Sequence, residues 1–104
     1  MIRHRLPDLD RLARAFKALS NPNRLAIYLE VLQQTRLEVK SCGLSHLIDR
    51  LDIGAPTVSH HTKELVDAGL ITVQREGRFI RCTPDESMRE VLHRFFARDT
   101  DSAR

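Results

Sequence analysis

Between Leu44 and Ile71 the chain reads LSHLIDRLDIGAPTVSHHTKELVDAGLI, and no other stretch restricts its fold as strongly. Leu44, Leu47, Ile48 and Leu51 recur at i, i+3, i+4 and i+7. A short helix with that spacing turns one apolar face inward and leaves Ser45, His46, Asp49 and Arg50 in water. Asp52-Ile53-Gly54 follows, and the glycine can take the positive φ that stops a helix and turns the chain sharply. Ala55-Pro56 opens a second helix, with proline in the first turn, where its missing N–H costs least. In that helix Val58, Thr62, Leu65 and Val66 point inward. Pro56, Thr57, Ser59, His60, Lys63 and Glu64 point outward, with His61 on the flank. Two short helices about a tight joint make a helix-turn-helix.

The outward set is small, hydrogen-bonding and modestly cationic. It suits the first turns of a helix that approaches base edges while its backbone N–H groups meet a phosphate. The same residues also fit an ordinary solvated helix face, and the next segment discriminates between the two. Ala68-Gly69 is a stop signal, Leu70 to Arg75 is a β-rich run, Glu76-Gly77 is a two-residue turn signal, and Arg78 to Cys82 returns as a second strand. A helix-turn-helix followed at once by an arginine-tipped hairpin is a winged helix. Arg75, Arg78 and Arg81 then lie where a wing meets the sugar-phosphate backbone or minor groove. Alone, they would serve equally as charges that keep an edge strand soluble; beside this helix pair the DNA reading is favoured.

Three runs together, Ala18 to Leu25 (ALSNPNRL), Pro56 to Leu65 (PTVSHHTKEL) and Ala68 to Ile71 (AGLI), resemble the ArsR/SmtB family of bacterial dimeric winged-helix repressors. The resemblance extends from about Leu9 to Phe96. It implies a homodimer that sits on a double-stranded operator near its own promoter and leaves when an inducer binds. Inducers known in that family are mostly metal ions or arsenicals. Some members answer to thiol oxidation or sulfur species, and some have no known ligand. On this reading each protomer places the helix Ala55 to Val66 in one major groove of an inverted repeat. The half-sites lie about one helical turn apart or a small multiple.

Composition sets bounds. At 104 residues the chain is one small domain, 1–104, with polar tails at 1–7 and 98–104 expected to fray. Hydrophobic content of 41% and charged content of 30% mark a soluble globular protein. No apolar run approaches the roughly 18 residues of a membrane span. Met1 to Arg5 is basic but lacks the apolar stretch of a signal peptide, so a cytoplasmic protein without a membrane partner is expected. A formal net charge of +3 is compatible with a polyanionic partner and too mild to demonstrate one.

The flanking segments supply the frame. Leu9, Leu12, Ala13, Phe16 and Leu19 form a helical stripe over Asp8 to about Ala18. Asn21-Pro22 caps the next helix, whose dominant apolar side is Leu25, Ala26, Tyr28, Leu29 and Leu32. Ile27 and Val31 widen that side until the helix is nearly surrounded. Glu38 to Ser41 is a candidate third strand against the wing base. Thr83-Pro84-Asp85-Glu86 carries a capping residue, a proline at N1 and a glutamate at N3, which starts a last helix. Its stripe of Met88, Val91, Leu92, Phe95 and Phe96 exceeds what one small domain readily covers, and predicts a dimer surface shared with Leu9, Leu12 and Phe16. The alternative is that this helix folds onto its own core. The expected architecture is mainly α with a small β-hairpin wing and about five helices, dimerising through the first and last.

The sensor is the quiet part. Where family members that detect soft metals often carry Cys-x-Cys, this chain has Lys40-Ser41-Cys42-Gly43-Leu44, with one thiol. The zinc site on the family's last helix needs Asp-x-His, and Asp85-Glu86-Ser87 lacks the histidine, which His93 alone cannot replace. Tetrahedral zinc wants four ligands, so neither a metal site nor a cofactor is expected. Cys42 and Cys82 are either small core residues or a thiol switch responding to arsenicals or oxidation. Cys42 favours the switch, because a helix N-terminus stabilises its thiolate. If the strand near Val39 pairs antiparallel with that of Ile80, the two thiols lie beyond disulfide reach. A rival function is protein docking, whose mark is indifference to DNA. Neither a phosphate-binding glycine loop, nor a nucleophile paired with a base, nor a carboxylate cluster points to catalysis. The inducer, the operator sequence and the sign of regulation are left open.

Overall fold

The computed structural model describes residues 9–36 and 43–102, with side chains described for 9–35 and 43–98. In chain order the elements are α1 (Leu9–Leu19), α2 (Pro22–Arg36), α3 (Leu44–Leu51), α4 (Ala55–Asp67), β1 (Ile71–Glu76), β2 (Phe79–Pro84) and α5 (Glu86–Ser102). Five helices and a two-stranded antiparallel hairpin are therefore present among the described residues, in the order of a winged helix-turn-helix. The candidate strand at 38–41 lies outside them. None of these helices is long and apolar enough to cross a membrane.

The corner between α1 and α2 forms as its residues dictate. The Asn21 side-chain oxygen accepts the N–H groups of Asn23 at 2.9 Å and Arg24 at 3.1 Å, with Pro22 at the first helical position. Arg24 Nε donates to the Ala18 carbonyl at 2.7 Å, satisfying one orphan acceptor at the end of α1. At the end of α4 Gly69 takes φ +78, and Leu70 N–H reaches the Leu65 carbonyl (3.0 Å) while Gly69 N–H reaches that of Val66 (2.9 Å). This is a Schellman closure, and it drops Leu70 into the core beside Leu65.

Three joints differ from expectation. In the turn between α3 and α4 the left-handed residue is Asp52 (φ 54, ψ 44), while Gly54 sits at φ −59 as the residue preceding α4. A short polar side chain tolerates that region, and the Asp52 N–H closes α3 on the Ile48 carbonyl at 3.1 Å. In the hairpin Glu76 pairs with Phe79, so the loop is Gly77-Arg78, one residue later than expected. Gly77 supplies the positive φ (62) that a type II′ turn needs at its first position. At α5 the capping residue is Asp85, whose Oδ1 accepts the Met88 N–H at 2.9 Å and the Ser87 hydroxyl at 2.8 Å. Thr83 and Pro84 remain in the ladder opposite Thr72 and Ile71. Helix α5 continues to Ser102, past Ala97, where the sequence placed the start of a tail.

The core is built from Ile27, Val31, Leu47, Val58, Leu65, Leu70, Ile71, Cys82 and Met88, all essentially inaccessible. Helix α2 inverts the predicted priority of its faces. Ile27, Tyr28 and Val31 are buried, whereas Leu25 and Leu29 are exposed, Leu29 by 55%. An α-helix advances 100° per residue, which sets Leu25 and Leu29 opposite Ile27 and Val31. An isolated antiparallel bridge between Gly43 and Arg81 ties the start of α3 to β2.

Candidate nucleic-acid interface

Helix α4 is strictly two-sided along its middle. Val58, Thr62 and Leu65 are buried, and Pro56, Thr57, Ser59, His60 and Lys63 are exposed, as their spacing predicts. Val66, expected inward, is partly exposed at the margin. Gly54 provides no side-chain cap, so the first-turn N–H groups of α4 are left for water or an anion.

His61 does not belong to this face. It is only 8% exposed, and its Nδ1 is buried without a hydrogen-bond partner. Burial foremost, and then the Arg24 guanidinium, holds its pKa below the ordinary histidine value. Its position three residues after Val58 and four before Leu65 places it on the core stripe rather than the flank. His60 therefore stands alone as the outward imidazole of the pair.

On the wing, Arg75 and Arg78 are exposed and Arg81 is not fully so. Arg81 Nη2 lies 3.6 Å from Glu76 Oε1, and its Nε is buried. Three residues inward from the turn, opposite Gln74, it ties the middle of β2 to the last residue of β1. Phe79, beside Arg78 at the tip, is 68% exposed. No signal in the sequence marks this, because with the turn expected at Glu76-Gly77 Phe79 reads as an ordinary strand residue, and only the shifted register sets it opposite Glu76 at the last rung.

Of the eight residues expected at a subunit interface, Leu12, Met88 and Val91 are buried in the protomer's own core and are unavailable to a second copy. Leu9, Phe95 and Phe96 are exposed, Phe96 by 62%, with Phe16 and Leu92 half-buried beneath. The rings of Phe16, Phe95 and Phe96 meet edge to face, with centroids 5.2 to 6.0 Å apart. The result is an aromatic patch where α5 crosses α1.

The sensor candidates divide. Cys82 is 1% exposed, and burial pushes its thiol up to about 11, which excludes a ready thiolate. Cys42 lies outside the described residues. Among those described, no three His, Cys, Asp or Glu side chains stand together to hold a metal ion.

A helix-turn-helix domain family model matches residues 19–74, from the end of α1 through most of β1. The chain is 36% identical to the arsenical resistance operon repressor of Staphylococcus xylosus, over 64% of its own length and 58% of that protein. It is also 36% identical to the transcriptional repressor SmtB of Mycobacterium tuberculosis, over 67% of its length and 47% of SmtB. The chain belongs to the ArsR/SmtB family. This ArsR/SmtB protein spans about half the length of these two relatives. Its fold is similar to that of a homodimeric winged helix-turn-helix DNA-binding domain from Mycobacterium bovis, with TM-score 0.66 and 24% identity. That likeness covers 88% of this chain and 81% of the other.

Proposed function

We propose that this ArsR/SmtB protein is a homodimeric repressor that reads an inverted-repeat operator with α4 and grips its backbone with the wing. The observation that carries the reading is the outer face of α4. Its hydroxyl, imidazole and ammonium groups at Thr57, Ser59, His60 and Lys63 are all exposed over a fully buried Val58, Thr62 and Leu65. Hydroxyls and imidazole suit base edges, and exposed Arg75 and Arg78 suit phosphates. The patch of Leu9, Phe95 and Phe96 supports a dimer. So do the homodimeric assembly named for the Mycobacterium bovis neighbour and the repressor names of the relatives. Release by an inducer completes the proposal. A thiol route to release falls to Cys42, because Cys82 is sealed in the core.

The test is fluorescence anisotropy of the purified protein against DNA from upstream of its own coding sequence and against a scrambled duplex, across salt. Salt-dependent binding that prefers the upstream duplex is the expected result. Equal, weak binding to both would favour protein docking instead.

A further inference from the structure

Helix α2 carries a carboxylate toward the protein interior. Glu30 is 9% exposed, and a buried carboxylate is rare unless it is paired. Its Oε2 collects three partners: Gln34 Nε2 donates at 2.7 Å, His46 Nε2 lies at 3.2 Å, and Arg50 Nε lies at 3.5 Å. Gln34 belongs to the same helix, while His46 and Arg50 come from α3, one turn apart. These partners, Gln34 foremost, hold the Glu30 carboxyl below the usual carboxylate range against the opposing effect of burial.

The location of this cluster is the informative part. Helix α3 packs on α4, and Gly43, the residue just before α3, is bridged to Arg81 of β2. A tilt of α3 on α2 therefore moves both the proposed reading helix and the wing. The carboxylate is buried while its cationic partners are not, His46 being 40% and Arg50 64% exposed, and a partly exposed ion pair of this kind adds little net stability, so stability alone does not account for this one. Among the described residues, the charged and titratable groups facing the Glu30 carboxylate are His46 and Arg50 on α3, with neutral Gln34 on α2, and His46 also lines a cavity that Arg78 of the wing borders.

We infer that Glu30 is a positioning residue for the DNA-reading unit, holding α3 on α2 through His46 and Arg50, and that protonation of His46 tightens this hold. Histidine gains charge between about pH 8 and 5, and a charged donor strengthens a hydrogen bond to carboxylate. Glu30, with its lowered pKa, stays ionised throughout that window. DNA affinity then gains an increment as pH falls and loses it as pH rises. The inference rests on the DNA-binding reading above.

The experiment measures affinity for the upstream duplex at about pH 6 and about pH 8 for the native protein, Glu30→Gln, His46→Asn and the double variant. His60 contributes equally to all four, so the readout is the difference in pH dependence. The native protein should weaken about two- to fivefold more than Glu30→Gln over that range, the span of a partly exposed ion pair. Both single variants should match the double. One common pH dependence for all four proteins overturns the inference. Amide exchange of α3, corrected for intrinsic rates, supplies a readout independent of DNA. Protection that falls with pH in the native protein and is flat in Glu30→Gln supports the hold, and identical profiles overturn it. A pH-dependent α3 in a protein that ignores DNA supports the hold and overturns the DNA reading.

Discussion

Asp52 sets the angle between α3 and α4 from a left-handed conformation that costs an L-residue on the order of 1 kcal/mol. Replacing it with glycine should leave the thermal midpoint unchanged or raised. Asp52→Val should lower stability by more than 1 kcal/mol or so, since branching at Cβ clashes there. Cys82 gives a sharper test. Its thiol is raised from an ordinary 9.0 to about 11 in the fold, so the folded chain keeps a proton that the unfolded chain sheds. That stability is complete below about pH 9 and declines toward pH 11, by an amount on the order of 2 kcal/mol. Denaturant titrations at pH values on either side of this window should show the decline, and Cys82→Ala should reduce it, leaving the part owed to Tyr28, whose phenol burial also pushes up.

At the scale of elements, the two halves of the DNA reading make separable predictions. Arg78→Ala should weaken binding to every duplex and reduce the salt slope by about one. Changes at Ser59 or His60 should alter preference among sequences at nearly constant slope. Equal losses on specific and scrambled DNA for both kinds of variant would refute this division. The elements also show where a sequence can be read and where it cannot. The sides of α4 were legible because apolar and polar residues alternate cleanly at helical spacing over Pro56 to Leu65. Helix α2 was not, because Leu25, Ile27, Tyr28, Leu29 and Val31 surround it. Periodicity cannot rank two apolar faces when tertiary packing decides which is covered. The Asp85 cap was missed for a related reason. Thr83 and Pro84 satisfied the local capping pattern, but cross-strand pairing with Thr72 and Ile71 claimed them first. His61 was one position from the boundary between faces, where a rotation of a few tens of degrees decides between water and core.

For the whole molecule, the separation of core from surface on α1 and α5 makes assembly testable apart from folding. Phe96→Ser should produce a folded monomer by sedimentation and abolish tight binding to a full inverted repeat. Leu12→Ala should cost about 2 to 5 kcal/mol of stability as a core deletion. A dimeric Phe96→Ser variant that still binds the full site would place the subunit contact elsewhere. Charge is distributed at this scale as well. Glu76 engages Arg81 within the wing, so among the described residues the hairpin leaves the exposed guanidinium groups of Arg75 and Arg78 to meet an anion, where three arginines stand in the sequence. Two phosphate contacts displace about two condensed counterions, and each wing should contribute about 1.8 to the logarithmic salt exponent, against about 2.7 for three. If the wing grips DNA as proposed, the internal acid lowers how steeply occupancy responds to the ionic strength around it.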